Sequence, residues 1–157
     1  MKIVLLSVLV IIFLSGCIDQ QTSVKNLPVS QQPYQVSPSC SGTFNATVTR
    51  VVDGDTLVLR ECEKRIRLSL TNTPETDQFG YQEAKDFTAR LCVNQLITID
   101  QDSGQPIDKY NRILAVVYCN GKNLNAELLE NNLAKISTQY CSRSEFADSS
   151  WAKKHGC

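Results

Sequence analysis

Apolar and polar residues alternate along residues 44–52, the signature of a strand with one face buried. Asp53-Gly54-Asp55 interrupts the alternation, and Asp-Gly between two strand-like runs predicts a hairpin whose return strand is 56–59. A charged turn, 61–64, leads into a third strand over 65–70. Residues 81–92 fit a helix, with Ala84, Phe87 and Leu91 recurring on one face. A fourth strand is expected at 96–100, followed by a polar loop with Gly and Pro over 103–110. A fifth strand over 112–119 is closed by Asn120-Gly121. Residues 124–129 suit a short helix with Leu124 and Leu128 inward. A last helical stretch starts near Ser142, where Ser142 and Glu145 would form a capping box. Five strands with a helix after the third predict an α+β chain, a five-stranded OB-fold barrel with about three helices. The lack of strand–helix–strand repeats disfavours a doubly wound parallel sheet.

The first 39 residues follow another pattern. Lys2 gives a positive end, residues 3–14 are almost wholly apolar, and Leu14-Ser15-Gly16-Cys17 follows. The apolar run is shorter than the roughly 20 residues of a membrane-spanning helix. The tetrapeptide resembles a lipobox, so residues 1–17 are expected to be a lipoprotein signal peptide with Cys17 carrying lipid; a plain signal peptide is the alternative. Residues 18–39, rich in Gln, Ser and Pro, read as a flexible tether. The folded domain is expected over 40–157, attached to the cell membrane by lipid on its extracytoplasmic face, as a monomer.

The chain has 157 residues, of which 42% are hydrophobic and 20% charged, so it can build one domain with a real core. Sixteen basic and sixteen acidic side chains cancel, so no bulk positive field steers the protein onto a polyanion. Any such partner must be held by local geometry. With Cys17 taken by lipid, six of the seven cysteines remain, which in an exported chain allow up to three disulfides in 15 connectivities. The lack of a Cys-x-x-Cys spacing and the single histidine, His155, argue against zinc.

The candidate chemistry lies in three polar clusters. Arg67 sits inside the third apolar run, which then breaks at Asn72-Thr73-Pro74-Glu75. Asp55 occupies the first hairpin, and Arg112 a separate strand. A core-directed arginine needs an anion, and its planar fork matches a phosphate. A structural Arg–Glu pair is the other reading. Carboxylate, amide and carbonyl oxygens without thiolate or imidazole suit calcium or magnesium. Two arginines beside such a cation suit a phosphorus-centred anionic transition state.

These clusters, in order, resemble those of the staphylococcal (micrococcal) nuclease family, the thermonucleases. The likeness runs from Phe44 to Tyr140. It rests on Val52-Asp53-Gly54-Asp55-Thr56, on Arg67-Leu68 with Thr73-Pro74-Glu75-Thr76, and on Asp108-Lys109-Tyr110-Asn111-Arg112. Asn120-Gly121-Lys122, Asn125 and Leu133-Ala134-Lys135 add to it. The resemblance implies an OB barrel and calcium-dependent hydrolysis of DNA and RNA. It implies Asp55 as a calcium ligand, Asn72 at the second acidic ligand position and Thr73 offering its carbonyl. Glu75 would orient or deprotonate the attacking water, and Arg67 and Arg112 would stabilise the phosphoryl group. Lys109 and Tyr110 would hold a terminal phosphate, and Tyr140 would line a base pocket. Two positions depart from the family: Asn72 stands for an aspartate and Thr138 for a second pocket tyrosine. A module that binds nucleic acid or protein without cutting is the alternative function. With the fold in view, the expected disulfides are Cys40–Cys62, Cys92–Cys119 and Cys141–Cys157, the last needing a break in the final helix near Ser149-Ser150.

Overall fold

The computed structural model describes residues 39–157; the expected signal peptide, the lipidated Cys17 and the tether up to residue 38 lie outside the described residues. Strand β1 (Thr43–Asp53) turns through Gly54-Asp55 into β2 (Thr56–Leu59), as the Asp-Gly pair predicts. A Cβ at Gly54 would lie 2.7 Å from Thr73 Cγ2 and 2.8 Å from Ala84 Cβ, so only glycine lets these elements meet at the hairpin. β3 (Ile66–Leu68) pairs with β2, and after β4 (Thr71–Asn72) comes helix α1 (Tyr81–Cys92). β5 (Leu96–Gln101) pairs with β1 and with β6 (Ile113–Cys119). β6 also runs parallel to β3, so the ladder β3-β2-β1-β5-β6 returns on itself. This closed five-strand barrel with three α-helices is the expected OB plan.

The barrel interior is filled by fully buried aliphatic side chains, among them Val48, Leu57, Ile66, Ile97, Ile99 and Ile113. Beyond it, Asn120 and Gly121, both at positive φ, turn β6 into β7 (Lys122–Asn123). Helix α2 (Leu124–Glu130) buries Leu124 and Leu128 as the pattern predicts, and Asn123 caps it by accepting from the Ala126 N–H. β8 (Lys135–Ile136) pairs with β4, and α3 (Ser150–His155) ends the chain.

Two expectations are corrected. The third strand stops at Leu68 rather than Leu70, because Leu70 adopts φ 59° and turns the chain out of the barrel. That conformation is unfavourable for leucine. It is held by the Ser137 N–H on the Leu70 carbonyl (2.7 Å) and by buried Asn125, whose Nδ2 donates to the Ser69 carbonyl (2.9 Å). On α1, Ala84, Phe87 and Leu91 pack toward the core as the pattern predicts, and the fully buried stripe Ala84-Thr88-Cys92 runs beside them, where the Thr88 hydroxyl donates to the Gly54 carbonyl and Cys92 is bridged. At the C-terminus Ser142 and Glu145 form no capping box. Ser144 caps the 3₁₀ turn Glu145–Asp148, while the Glu145 carboxylate accepts from the Ser103 N–H. The chain breaks at Ser149 before α3, and all three disulfides form as expected, with Cα separations of 6.1, 5.3 and 5.6 Å.

Candidate phosphoryl-binding site

Register on the barrel brings the two arginines together. Thr56 on β2 pairs with Arg67 on β3, and Arg112 directly precedes β6, the other neighbour of β3. Asp55 closes the β1–β2 hairpin beneath them and is only 4% exposed. Its Oδ2 accepts from the Thr73 N–H (2.7 Å), the Thr73 hydroxyl (3.0 Å) and Arg67 Nη1 (2.7 Å). Arg67 Nη1 also donates to the Thr71 carbonyl, and Nη2 to Asn72 Oδ1, each at 2.7 Å. From Asp55 the network continues through the Thr56 hydroxyl (3.2 Å), which accepts from Arg112 Nη1 at 3.4 Å. Arg112 in turn donates through Nε and Nη2 to Asp108 Oδ2, at 2.7 and 2.6 Å. One polar chain thus joins Asn72 to Asp108 through both arginines.

Electrostatics follow from burial. Desolvation pushes the Asp55 carboxyl up from 3.8 to about 6, against the pull of Arg67 and of the Thr73 N–H. Asp108 is less buried. Its own desolvation opposes, but the backbone N–H and side chain of Arg112 and the N–H of Tyr110 together hold its carboxyl below the ordinary aspartate value.

A groove of about 920 Å³ opens above this network. Arg67, Asn72, Lys109, Tyr110, Arg112 and Tyr140, six residues singled out in the sequence, line it. Lys135 and Arg143 line it as well, and Asp108 is its one acidic wall residue. Five cations against one carboxylate make an anion cleft in a chain of zero net charge. Tyr140 stands on the 3₁₀ turn Thr138–Tyr140 with the Arg143 guanidinium 5.1 Å from its ring centroid. Thr138 is exposed and lies outside the lining.

The groove does not gather every expected residue. Asp55 and Thr73 lie beneath it, and Glu75 lies outside its lining on the exposed turn after Pro74. Among the described residues, no hydrogen bond or ion pair holds the Glu75 carboxylate; only its backbone is tied, the N–H to Gln78 Oε1 and the carbonyl to the Gln78 N–H. As a test of fit for calcium, Asp55 Oδ2, the Thr71 carbonyl and Asn72 Oδ1 converge on one guanidinium. Hard oxygens already gathered round a positive charge are the donor set that such a cation takes. Asp55 is the one carboxylate of the three. Thr73 contributes through its N–H and hydroxyl, which orient Asp55.

Sequence reasoning missed two buried polar residues that support the site. Asp102, with no exposed surface, accepts from the Ser69 hydroxyl (3.1 Å), the Ser144 hydroxyl (2.5 Å) and the Gly104, Gln105 and Glu145 N–H groups. It ties the loop before Asp108 to the segment after Tyr140, the two walls of the groove. An aspartate before Ser-Gly is an Asx-turn signal, but its distant partners leave no local trace. Asn125 appeared in the sequence only as a family position. Its side chain also accepts from the Val117 N–H at 3.1 Å, so it joins α2 to the seam between β3 and β6.

Residues 65–154 match the family described as staphylococcal nuclease homologue. Among curated proteins, the chain is 31% identical over 113 residues to "Endonuclease YncB" of Bacillus subtilis (strain 168), covering 66% of this chain and 53% of that protein. It is 34% identical over 112 residues to "Thermonuclease" of Staphylococcus intermedius, covering 66% of each chain. To "Thermonuclease" of Staphylococcus hyicus it is 35% identical over 97 residues, 56% of each. The chain thus spans about half to two thirds of the length of the relatives it matches. Barrel, arginine pair and family match agree: the chain belongs to the staphylococcal nuclease homologue family.

Proposed function

We propose that this chain hydrolyses phosphodiester bonds of DNA and RNA, with calcium as its cation, outside the cell and tethered to the membrane by lipid on Cys17. The observation that carries the reading is the placement of Arg67 on β3 and Arg112 just before the adjoining β6, at the floor of a groove with five cations and one acid. A phosphodiester needs donors that strengthen as charge grows on the phosphoryl oxygens, and a guanidinium supplies two parallel ones. Both arginines are oriented in advance by carboxylates of the chain itself, Arg67 by Asp55 and Arg112 by Asp108. That orientation reduces the reorganisation needed when substrate arrives. Bound calcium supplies Lewis-acid polarisation of a phosphoryl oxygen. Asp55, Asn72 and the neighbouring backbone oxygens would hold it. Glu75, exposed and with its carboxylate unpaired among the described residues, takes a proton from the attacking water. Lys109 and Tyr110 position a terminal phosphate, and Tyr140 offers a ring to a base.

The experiment incubates the full chain with DNA and RNA in calcium, then in chelator. Cleavage in calcium that stops in chelator is expected, and Glu75→Gln should lose about 10²–10³-fold in kcat while keeping substrate binding. Cleavage that persists in chelator overturns the calcium mechanism. Full activity in the Gln variant removes Glu75 from it. Tight binding without cleavage under any metal would instead establish a binding module.

A further inference from the structure

The groove does not end at Arg112. A second depression of about 630 Å³ continues beyond it, lined by Glu63, Lys64, Arg65, Tyr110, Asn111 and Arg112. Tyr110 and Arg112 line both depressions and form the partition between them. The juxtaposition is built by the barrel. The Ile113 N–H donates to the Arg65 carbonyl at 2.9 Å, which fixes the β2–β3 connection beside the Asp108–Arg112 turn. Asp108 shapes that turn by accepting from the N–H groups of Tyr110 and Arg112, each at 2.9 Å.

Three features give this depression a chemistry. Lys64 and Arg65 are exposed, and among the described residues neither enters an ion pair; the same holds for Lys109 across the partition. Glu63 is the one acidic group in the lining, so the basin is positive before Arg112 is counted. Tyr110 is 67% exposed, with Lys109 Nζ 4.9 Å and the Arg112 guanidinium 5.2 Å from its ring centroid. An exposed aromatic ring between two cationic basins matches a ligand that alternates anion, flat ring and anion. A polynucleotide strand has that repeat; an acidic peptide has the anions without the ring.

We propose that this depression is a second nucleotide subsite. In a longer strand the phosphate held by Lys109 and the Tyr110 hydroxyl is internal, and the strand continues past Tyr110 with Lys64 and Arg65 on its next phosphates and the ring against an unstacked base. The inference rests on the nuclease reading and deepens it. It makes the favoured substrate a single strand long enough to span both depressions, since a base can stack on a protein ring only when its own neighbours release it.

The test compares the full chain with a Lys64→Gln/Arg65→Gln double variant, both outside the catalytic constellation. A labelled oligothymidylate of about twelve nucleotides, within the site sizes of single-strand binders, is titrated by fluorescence anisotropy over a range of salt. The variant is expected to bind about tenfold more weakly, and its log K against log salt slope to fall by about 1.4, or about 0.7 per lost phosphate contact. Where the wild-type chain cleaves, KM for the oligonucleotide should rise while turnover of a dinucleotide stays unchanged. Equal affinity and slope in the two proteins overturn the subsite, even in a chain that cuts nothing. Loss of dinucleotide and oligonucleotide cleavage alike would place Lys64 and Arg65 in general stability and also overturn it. Polyglutamate competing as well as the oligonucleotide at equal charge would reassign the basin to acidic peptides. Absence of cleavage in the wild type, with the binding differences intact, defeats the nuclease reading alone.

Discussion

Asp55 is the residue on which the site's charge turns. Its carboxyl, raised from 3.8 to about 6, holds a proton in the folded, metal-free protein over a pH range where the unfolded chain has released it. Stability from this group is therefore greatest below about pH 4 and declines as pH rises to about 6, by on the order of 2–3 kcal/mol. In chelated protein, urea midpoints for Asp55→Asn should show a flatter dependence across that window; an identical slope would mean that another group titrates there. Asn72 carries the second residue-scale prediction. Its Oδ1 accepts from Arg67, so the amide now helps to hold the guanidinium that covers Asp55. An aspartate there adds a charge at an exposed position and should tighten calcium binding by about 1–3 kcal/mol, the scale of a charged over a neutral contact. Calorimetric titration decides, and unchanged or weaker binding would show that position 72 serves Arg67 and not the metal.

At the scale of elements, the groove depends on a latch between two loops. Asp102 draws in the Gly104–Gln105 backbone and the Ser144–Glu145 segment, and the approach is so close that a Cβ at Gly104 would sit 2.0 Å from the Arg143 carbonyl oxygen. Asp102→Ala strands two buried hydroxyls, those of Ser69 and Ser144, and removes the carboxylate that the Gly104, Gln105 and Glu145 N–H groups share. It should cost about 3 kcal/mol or more in denaturant unfolding. At temperatures where the variant stays folded, KM should rise more than kcat falls, because the walls loosen while the arginine floor remains. Equal falls in kcat and kcat/KM would instead assign Asp102 to the chemical step. The barrel itself was legible in the sequence, since alternation and Asp-Gly and Asn-Gly turns are local signals. The joint role of Arg67 and Arg112 came from the family resemblance, because the parallel pairing of β3 with β6 that brings them together leaves no local signal. What stayed hidden depends on distant partners. Leucine does not advertise positive φ, so Leu70 read as strand. Lys135 and Arg143 join the groove only through the β4–β8 pairing and the turn after Tyr140. The polar run 103–110 gave no sign that its neighbour Asp102 was buried.

Over the whole molecule, zero net charge conceals a cleft with five cations and one acid. Three disulfides then fix the elements that shape it. Cys141–Cys157, with a sequence separation of 16, closes the segment that carries Arg143 and Ser144. Replacing both cysteines by serine should lower stability by about 3 kcal/mol. It should also weaken substrate binding, read as a KM rise with calcium affinity unchanged; a calcium affinity that fell too would mean that the bridge supports the barrel and not only the wall. The order of the bridges has a further consequence for how the chain is made. Each cysteine from Cys40 onward pairs with the next one along the chain, so no bridge encloses or crosses another. An oxidant that joins thiols in the order in which they emerge from a translocation pore produces this native set directly, without reshuffling. The same simplicity is fragile to one extra thiol upstream. In the lipid-anchored reading proposed above, an uncapped Cys17 would compete for Cys40 and displace the later pairings by one position, so its modification would guard the order of pairing as well as supply an anchor.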